Sequence, residues 1–242
     1  MKVLDLTMPT PAENLACDEA LLDAAEAGQP GEVLRFWESL EHFVVVGYAN
    51  RVATEVNVAA CEGQGIPILR RCSGGGTVVQ GPGCLNYALI LEITEDGPTR
   101  SISAANEFIM ERNRAAIESA IGNQQSAISV CGHTDLAIGG LKFSGNSQRR
   151  RRNFLLFHGT FLLNFDLALV SELLRMPSHQ PDYRAGRMHA EFITNLKLSA
   201  LQIKASLQTA WAATDDYAGN LRPAIAALVQ QKYSRAEWNR KF

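Results

Sequence analysis

The segment Arg70-Arg71-Cys72-Ser73-Gly74-Gly75-Gly76-Thr77-Val78-Val79-Gln80-Gly81-Pro82-Gly83 carries the strongest chemical signal in the chain. Three consecutive glycines cost conformational entropy on folding. They suit a place where backbone passes close to a ligand or presents N–H groups to an anion. The arginines before them can give a phosphate or carboxylate a bidentate contact. A glycine-rich surface turn is the alternative. The loop lacks G-x-x-x-x-G-K-[ST] spacing and opens no helix with G-x-G-x-x-G, so a nucleotide site here is neither a P-loop nor a dinucleotide fold.

A second group lies downstream. Lys142-Phe143-Ser144-Gly145-Asn146-Ser147-Gln148 follows a Gly139-Gly140 turn, in a chain with six lysines and seventeen arginines. A strand lysine is usually solvated. An inward one beside a phosphate site could neutralise charge while a carboxylate attacks an α-phosphate, a role that suits a compact ammonium. His158-Gly159-Thr160 interrupts an apolar strand and reads either as a hydrogen-bonded core histidine or as a site residue. Asp135 reads as a Mg²⁺ or hydrogen-bonding carboxylate, or as a turn former.

These residues need elements to position them. Lys2 to Leu6 alternates as a strand, and Ala12 to Ala27 reads as a helix stopped by Gly28. Val33–Trp37 and Phe43–Gly47 are expected to be strands joined by a polar turn, and Val52–Gln64 a helix. Strands at Ile66–Arg71 and Leu85–Ile93 flank the glycine loop. Apolar spacing from Ile102 to Ile121 predicts a long helix ending at Gly122. Ala127–Val130, Leu136–Ile138, Lys142–Gln148 and Phe154–Phe165 form a predicted meander. Leu167–Leu174 is a short helix, Pro177–Met188 is irregular, and residues 198–242 form a helical tail of the same domain. Without strict βαβ alternation the class is α+β, a mixed β-sheet core with flanking helices, and residues 1–242 read as one domain.

Composition bounds the function. The chain has 242 residues, 46% hydrophobic and 20% charged, which excludes a disordered chain. Its formal charge of −2 argues against generic binding to nucleic acid or an acidic membrane. No run approaches the ~18 apolar residues of a membrane span, and the N-terminus does not read as a signal peptide. The five cysteines, Cys17, Cys61, Cys72, Cys84 and Cys131, lack C-x-x-C spacing, which suggests neither a zinc site nor a disulfide framework and fits a reducing cytoplasm.

Arg70-Arg71-x-Ser73-Gly74-Gly75-Gly76-Thr77-Val78, Thr134-Asp135-Leu136, Lys142-x-Ser144-Gly145-x-x-Gln148-Arg149 and His158-Gly159-Thr160-x-Leu162-Leu163 occur in one order. Together they resemble the lipoate–protein ligase A family, which shares a superfamily with biotin ligases and octanoyltransferases. The resemblance implies a class II aminoacyl-tRNA-synthetase/biotin–lipoate-ligase-like catalytic domain. It also implies two steps: lipoate and ATP-Mg²⁺ give lipoyl-adenylate, and a lysine of an acceptor lipoyl-domain protein then displaces AMP.

By the same resemblance, Arg71, Gly75, Gly76, Thr77, Val78, Val79, Asn86, Asp135 and Lys142 would bind ATP or the adenylate. Arg71, Ser73, Gly74, Gly76, Lys142, His158 and Gly159 would bind lipoate, Lys142 being catalytic and Asp135 the Mg²⁺ ligand. An apolar tunnel would hold the acyl chain, worth several kcal/mol at ~0.8 per CH₂. The family often has Gly-Asn where this chain has Gly83-Cys84, and Asn-Asp where it has Thr134-Asp135. An accessory domain common in the family is expected to be absent here or supplied by a separate polypeptide.

Two alternatives remain. An ATP-independent octanoyl- or lipoyltransferase would use a cysteine thioester, and Cys131, eleven residues before Lys142, is its candidate. A non-catalytic acyl-adenylate-binding module is the other. Arg149-Arg150-Arg151-Arg152 is either a solvated turn or a docking patch for the acceptor, since lipoyl domains tend to be acidic.

Overall fold

The computed structural model describes residues 1–29, 31–122 and 127–242. Its first elements are strand β1 (Lys2–Asp5), helix α1 (Pro11–Glu26), strands β2 (Val33–Trp37) and β3 (Phe43–Val46), and helices α2 (Val52–Glu55) and α3 (Val58–Gly63). Strands β4 (Ile68–Arg70), β5 (Val78–Gln80) and β6 (Cys84–Glu92) and helix α4 (Ile102–Ile121) follow. Then come β7 (Ile128–Cys131), β8 (Asp135–Ile138), β9 (Leu141–Arg150) and β10 (Phe154–Leu162). The last are helices α5 (Ala168–Leu173), α6 (His189–Phe192) and α7 (Ala200–Ala210), strand β11 (Asp215–Asp216), and helices α8 (Arg222–Leu228) and α9 (Ala236–Asn239).

Eight strands form one mixed sheet in the order β11-β1-β2-β6-β10-β9-β8-β7. A smaller sheet has the order β4-β3-β5. The expected α+β architecture is therefore present. The central strand β6 shows why. Leu85, Tyr87, Leu89 and Leu91 pack into a core that includes Ile109 and Met110 of α4 and Ile203 and Leu207 of α7. Ala88 and Ile90 point the other way, into a core with Leu15 and Leu22 of α1 and Ile225 of α8. A strand covered on both faces reads as a continuous apolar run.

The chain enters α1 through a capping box in which Thr10 and Glu13 satisfy each other's backbone N–H, with Pro11 at the first turn. At its other end α4 stops at Gly122, whose φ of 67° lies in the left-handed region.

Three expectations change. The predicted helix over Val52–Gln64 is two helices, because Val56 turns extended and Asn57 starts α3 by accepting from the Ala60 N–H. The strands over 33–37 and 43–47 are not a hairpin: β2 joins the large sheet and β3 the small one. Residues 198–242 are more than a helical tail. Trp211 is buried in the α4–α7 core, Asp215–Asp216 adds an edge strand to β1, and Asn239 hydrogen-bonds the Arg70 backbone.

Candidate active site

The two sheets enclose a cavity of about 800 Å³. Its floor is a row across the large sheet in which Trp37, Asn86, Thr160, Gly145 and Asp135 are register partners on β2, β6, β10, β9 and β8. Its edge is the glycine loop between β4 and β5. The irregular segment from Pro177 to Arg184, with one 3₁₀ turn at Asp182–Arg184, lies along its mouth. The residues expected to bind ATP or lipoate all line this cavity except Ser73 and Gly74.

The arginine pair divides its labour. Arg70 is fully buried and donates to the carbonyls of Gly47, Tyr48 and Asn50 through Nη1 and to that of Trp238 through Nε. It ties the loop's base to α9 and offers nothing to an anion, contrary to the expectation that both arginines face the ligand. Arg71 lines the cavity and gathers the loop, donating to the carbonyls of Gly74 and Gly76. Burial pushes its guanidinium down to about 10, so it stays charged at neutral pH. Gly75 is required beside it: its φ is 81°, and a Cβ there would lie 2.9 Å from Arg71 Nη2.

Ser73 and His158 brace the loop from beneath. Ser73 Oγ accepts from Arg71 Nε at 3.1 Å and meets His158 Nε2 at 2.5 Å, and His158 Nδ1 meets Asp18 Oδ2 at 3.0 Å. With Nδ1–H donating to the carboxylate, Nε2 accepts the Ser73 proton. Asp18 also pairs with Arg35, and both are fully enclosed. Burial would raise the Asp18 carboxyl, but the Arg35 charge and His158 outweigh it and hold it below its usual range. The partners follow the order of a hydrolase triad, yet Ser73 has 0% exposure and stands outside the cavity lining, so it acts as a brace and not as a nucleophile. Sequence reasoning missed Asp18 and Arg35. Their signal was a charge of each sign inside apolar elements, which demands a partner.

Lys142 enters the cavity from β9, beside a register shift in the β8–β9 ladder. Its Nζ lies 2.8 Å from Asp135 Oδ1, and Tyr183 donates to Asp135 Oδ2 at 2.7 Å. Both Asp135 oxygens therefore have protein partners. Among the described residues no cluster of three His, Cys, Asp or Glu side chains is placed to hold a metal. Asp135 stands as the partner of Lys142 and Tyr183, and a Mg²⁺ held through one carboxylate and substrate phosphates would need no such cluster.

A hydrogen-bonded chain that runs from Trp211 to the Thr134 carbonyl holds this corner. Trp211 Nε1 donates to Asn113, Asn113 Nδ2 to Tyr87, Tyr87 to Asn146 Oδ1, and Asn146 Nδ2 to the Thr134 carbonyl. Gly159 makes room for it, because a Cβ there would overlap Asn146 Oδ1.

Cys131 does not line the cavity, and burial together with the Asp135 charge pushes its thiol up. Burial also pushes Cys17 to about 11 and Cys72 and Cys84 to about 12. Protonated thiols are poor nucleophiles. The four arginines split as well. Arg150 donates to the Thr99 carbonyl and Arg151 pairs with Asp23, whereas Arg149 lies over the Tyr48 ring and Arg152 is exposed.

A family model described as the lipoyl protein ligase A/B catalytic domain matches residues 10–211, which hold the glycine loop, Lys142 and His158. The chain belongs to this family. Similar proteins include both ligases and octanoyltransferases. A protein of Aeropyrum pernix named as a lipoate-protein ligase A is 29% identical over 74% of this chain, which covers 63% of that relative's length. An octanoyltransferase LipM from Brevibacillus brevis is 24% identical over 95% of both chains. Among solved structures, a bi-partite lipoate protein ligase from Thermoplasma acidophilum superposes with a TM-score of 0.83 at 22% identity, covering 99% of this chain and 95% of that one. A lipoate-protein ligase A bound with ATP superposes with a TM-score of 0.78 at 21% identity, covering 99% and 98%. At such identities the likeness establishes the shared lipoyl-ligase fold. Among the described residues no helix is long and apolar enough to cross a membrane.

Proposed function

We propose that the chain is an ATP-dependent lipoate–protein ligase, acting in the reducing cytoplasm on a lysine of an acceptor lipoyl-domain protein. The observation that carries this reading is that Lys142 and the Arg71-gathered glycine loop face one cavity. Two anions, a carboxylate and a triphosphate, must meet there, and fixed cations offset their repulsion. The carboxylate oxygen attacks the α-phosphorus and pyrophosphate leaves with the bond's electron pair. Lys142 stabilises the charge that develops between carbonyl and phosphate. The acceptor amine then attacks the acyl carbon, AMP departs, and the amine proton passes to solvent.

Residues 76–79 would cradle the adenylate, and Asp135 would hold Lys142 until the phosphate arrives. ATP binding is carried over from the ATP-bound lipoate-protein ligase A. A separate accessory polypeptide is carried over from the bi-partite Thermoplasma ligase. The LipM relatives support a second reading, an acyltransferase working through Cys131. The position of Cys131 outside the cavity lining and its raised thiol weigh against it. Incubation with lipoate and ATP, followed by native mass spectrometry, tests the proposal. Retained lipoyl-adenylate supports it; an acylated Cys131 with no adenylate refutes it.

A further inference from the structure

We propose that Tyr183 is a positioning residue for acyl activation: its hydroxyl fixes Asp135, and the fixed Asp135 orients the Lys142 ammonium while leaving it donors for the reacting groups. This rests on the ligase reading of the cavity.

Asp135 is gripped from two sides. Tyr183, from the segment at the cavity mouth, donates to its Oδ2 at 2.7 Å, and Lys142 Nζ on β9 lies 2.8 Å from its Oδ1. All three residues line the cavity. An ammonium carries three donors. Among the described residues Asp135 is the one ion-pair partner of Lys142, so donors remain for a carbonyl and a phosphate oxygen. A carboxylate free to turn could offer both oxygens to the ammonium. The bond from Tyr183 commits one of them elsewhere and takes up part of the carboxylate charge. Gly145 leaves the ammonium its room, because a Cβ there would lie 2.8 Å from Lys142 Nζ.

The backbone around Tyr183 is shaped to deliver this hydroxyl. Ala185 ends the 3₁₀ turn at φ 50°, in the left-handed region. A residue with a Cβ holds that conformation where its surroundings over-determine it, and such strain gathers at functional sites. Gly132 gives the ring its seat: a Cβ there would lie 3.2 Å from Pro181 Cβ and 3.7 Å from Tyr183 Cε1. The ring packs on Phe192 with centroids 5.1 Å apart. Arg187 donates to the carbonyls of Tyr183 and Gly140 at 2.8 and 3.1 Å, which ties the segment to the β8–β9 turn. Ring and backbone are thus secured without the hydroxyl, and Tyr183→Phe removes the bond to Asp135 while keeping the packing.

Steady-state pyrophosphate release with lipoate and ATP, measured on wild type and Tyr183→Phe, tests the proposal. The variant is expected to lose about tenfold in kcat, with KM for ATP and melting temperature unchanged. A ¹H–¹⁵N spectrum of the lysine ammonium groups supplies the second readout, the Lys142 signal being assigned by its loss in Lys142→Met. That signal should move in Tyr183→Phe and those of the other lysines should not. A kcat equal to or above that of wild type overturns the positioning role and leaves the ligase reading standing. A lower kcat with the Lys142 signal unmoved also overturns it, since Tyr183 would then not act through Asp135. Absence of pyrophosphate release from the wild type removes the ligase reading, and the positioning role with it.

Discussion

Lys142 and Asp18 show two uses of a charge inside this fold. Lys142 keeps a quarter of its side-chain surface exposed, in the cavity beside its partner Asp135. Replacing it with methionine should lower adenylate formation ~10²–10³-fold, the usual effect of losing one preorganised stabilising group, with little change in melting temperature. An ATP–pyrophosphate exchange assay beside a thermal melt separates the two effects. Asp18 has no such freedom. Removing one member of a buried pair strands the other, so Asp18→Asn should cost ~3–5 kcal/mol in urea unfolding. The Asp18 carboxyl is held below its unfolded value of 3.8, so its contribution is complete above that pH. It is lost as pH falls through the lower folded value. Acid unfolding of the wild type should therefore show a component that Asp18→Asn lacks.

At the scale of elements, the glycines at Gly75 and Gly159 serve different geometries. Gly75 supplies a left-handed turn against Arg71. Gly159 lets Asn146 reach across β10 to Tyr87. Gly159→Ala should destabilise the protein by ~1–3 kcal/mol through overpacking and loosen the Thr134–Asp135 turn, read as faster amide exchange there. Most strands and the long helix α4 were legible, because apolar alternation and turn residues mark them locally. The split of the helix at Val56–Asn57 was not, since apolar spacing continues across the break and Asn57 also satisfies the Leu173 carbonyl through a distant contact. Much of the loop–lysine–histidine constellation could be read from residue type and order. The Asp18–Arg35 pair, the Tyr183–Asp135 contact and the Gln80–Thr160 hydrogen bond could not, because each joins residues far apart in sequence.

For the molecule as a whole, a formal charge of −2 conceals an uneven distribution. Arg150 and Arg151 are committed to their own fold, which leaves Arg149 and Arg152 as the arginines of the run available to an acidic acceptor domain. The double variant Arg149→Ala/Arg152→Ala should slow transfer to the acceptor several-fold, more at low ionic strength, and leave adenylate formation unchanged. Single-turnover assays of each step distinguish this from equal loss of both, which would make the run part of the active site. Residues from 198 onward pack into both cores and cover Arg70, so the chain's last elements are built into the same fold.

The central claim is that acyl activation runs through ATP at Lys142 and not through a cysteine. Pyrophosphate release on mixing the protein with lipoate and ATP tests it most directly, with Cys131→Ser measured in parallel. The account predicts release at equal rates in wild type and Cys131→Ser. Absence of release, together with Cys131-dependent acyl transfer from acyl-carrier protein, would contradict it.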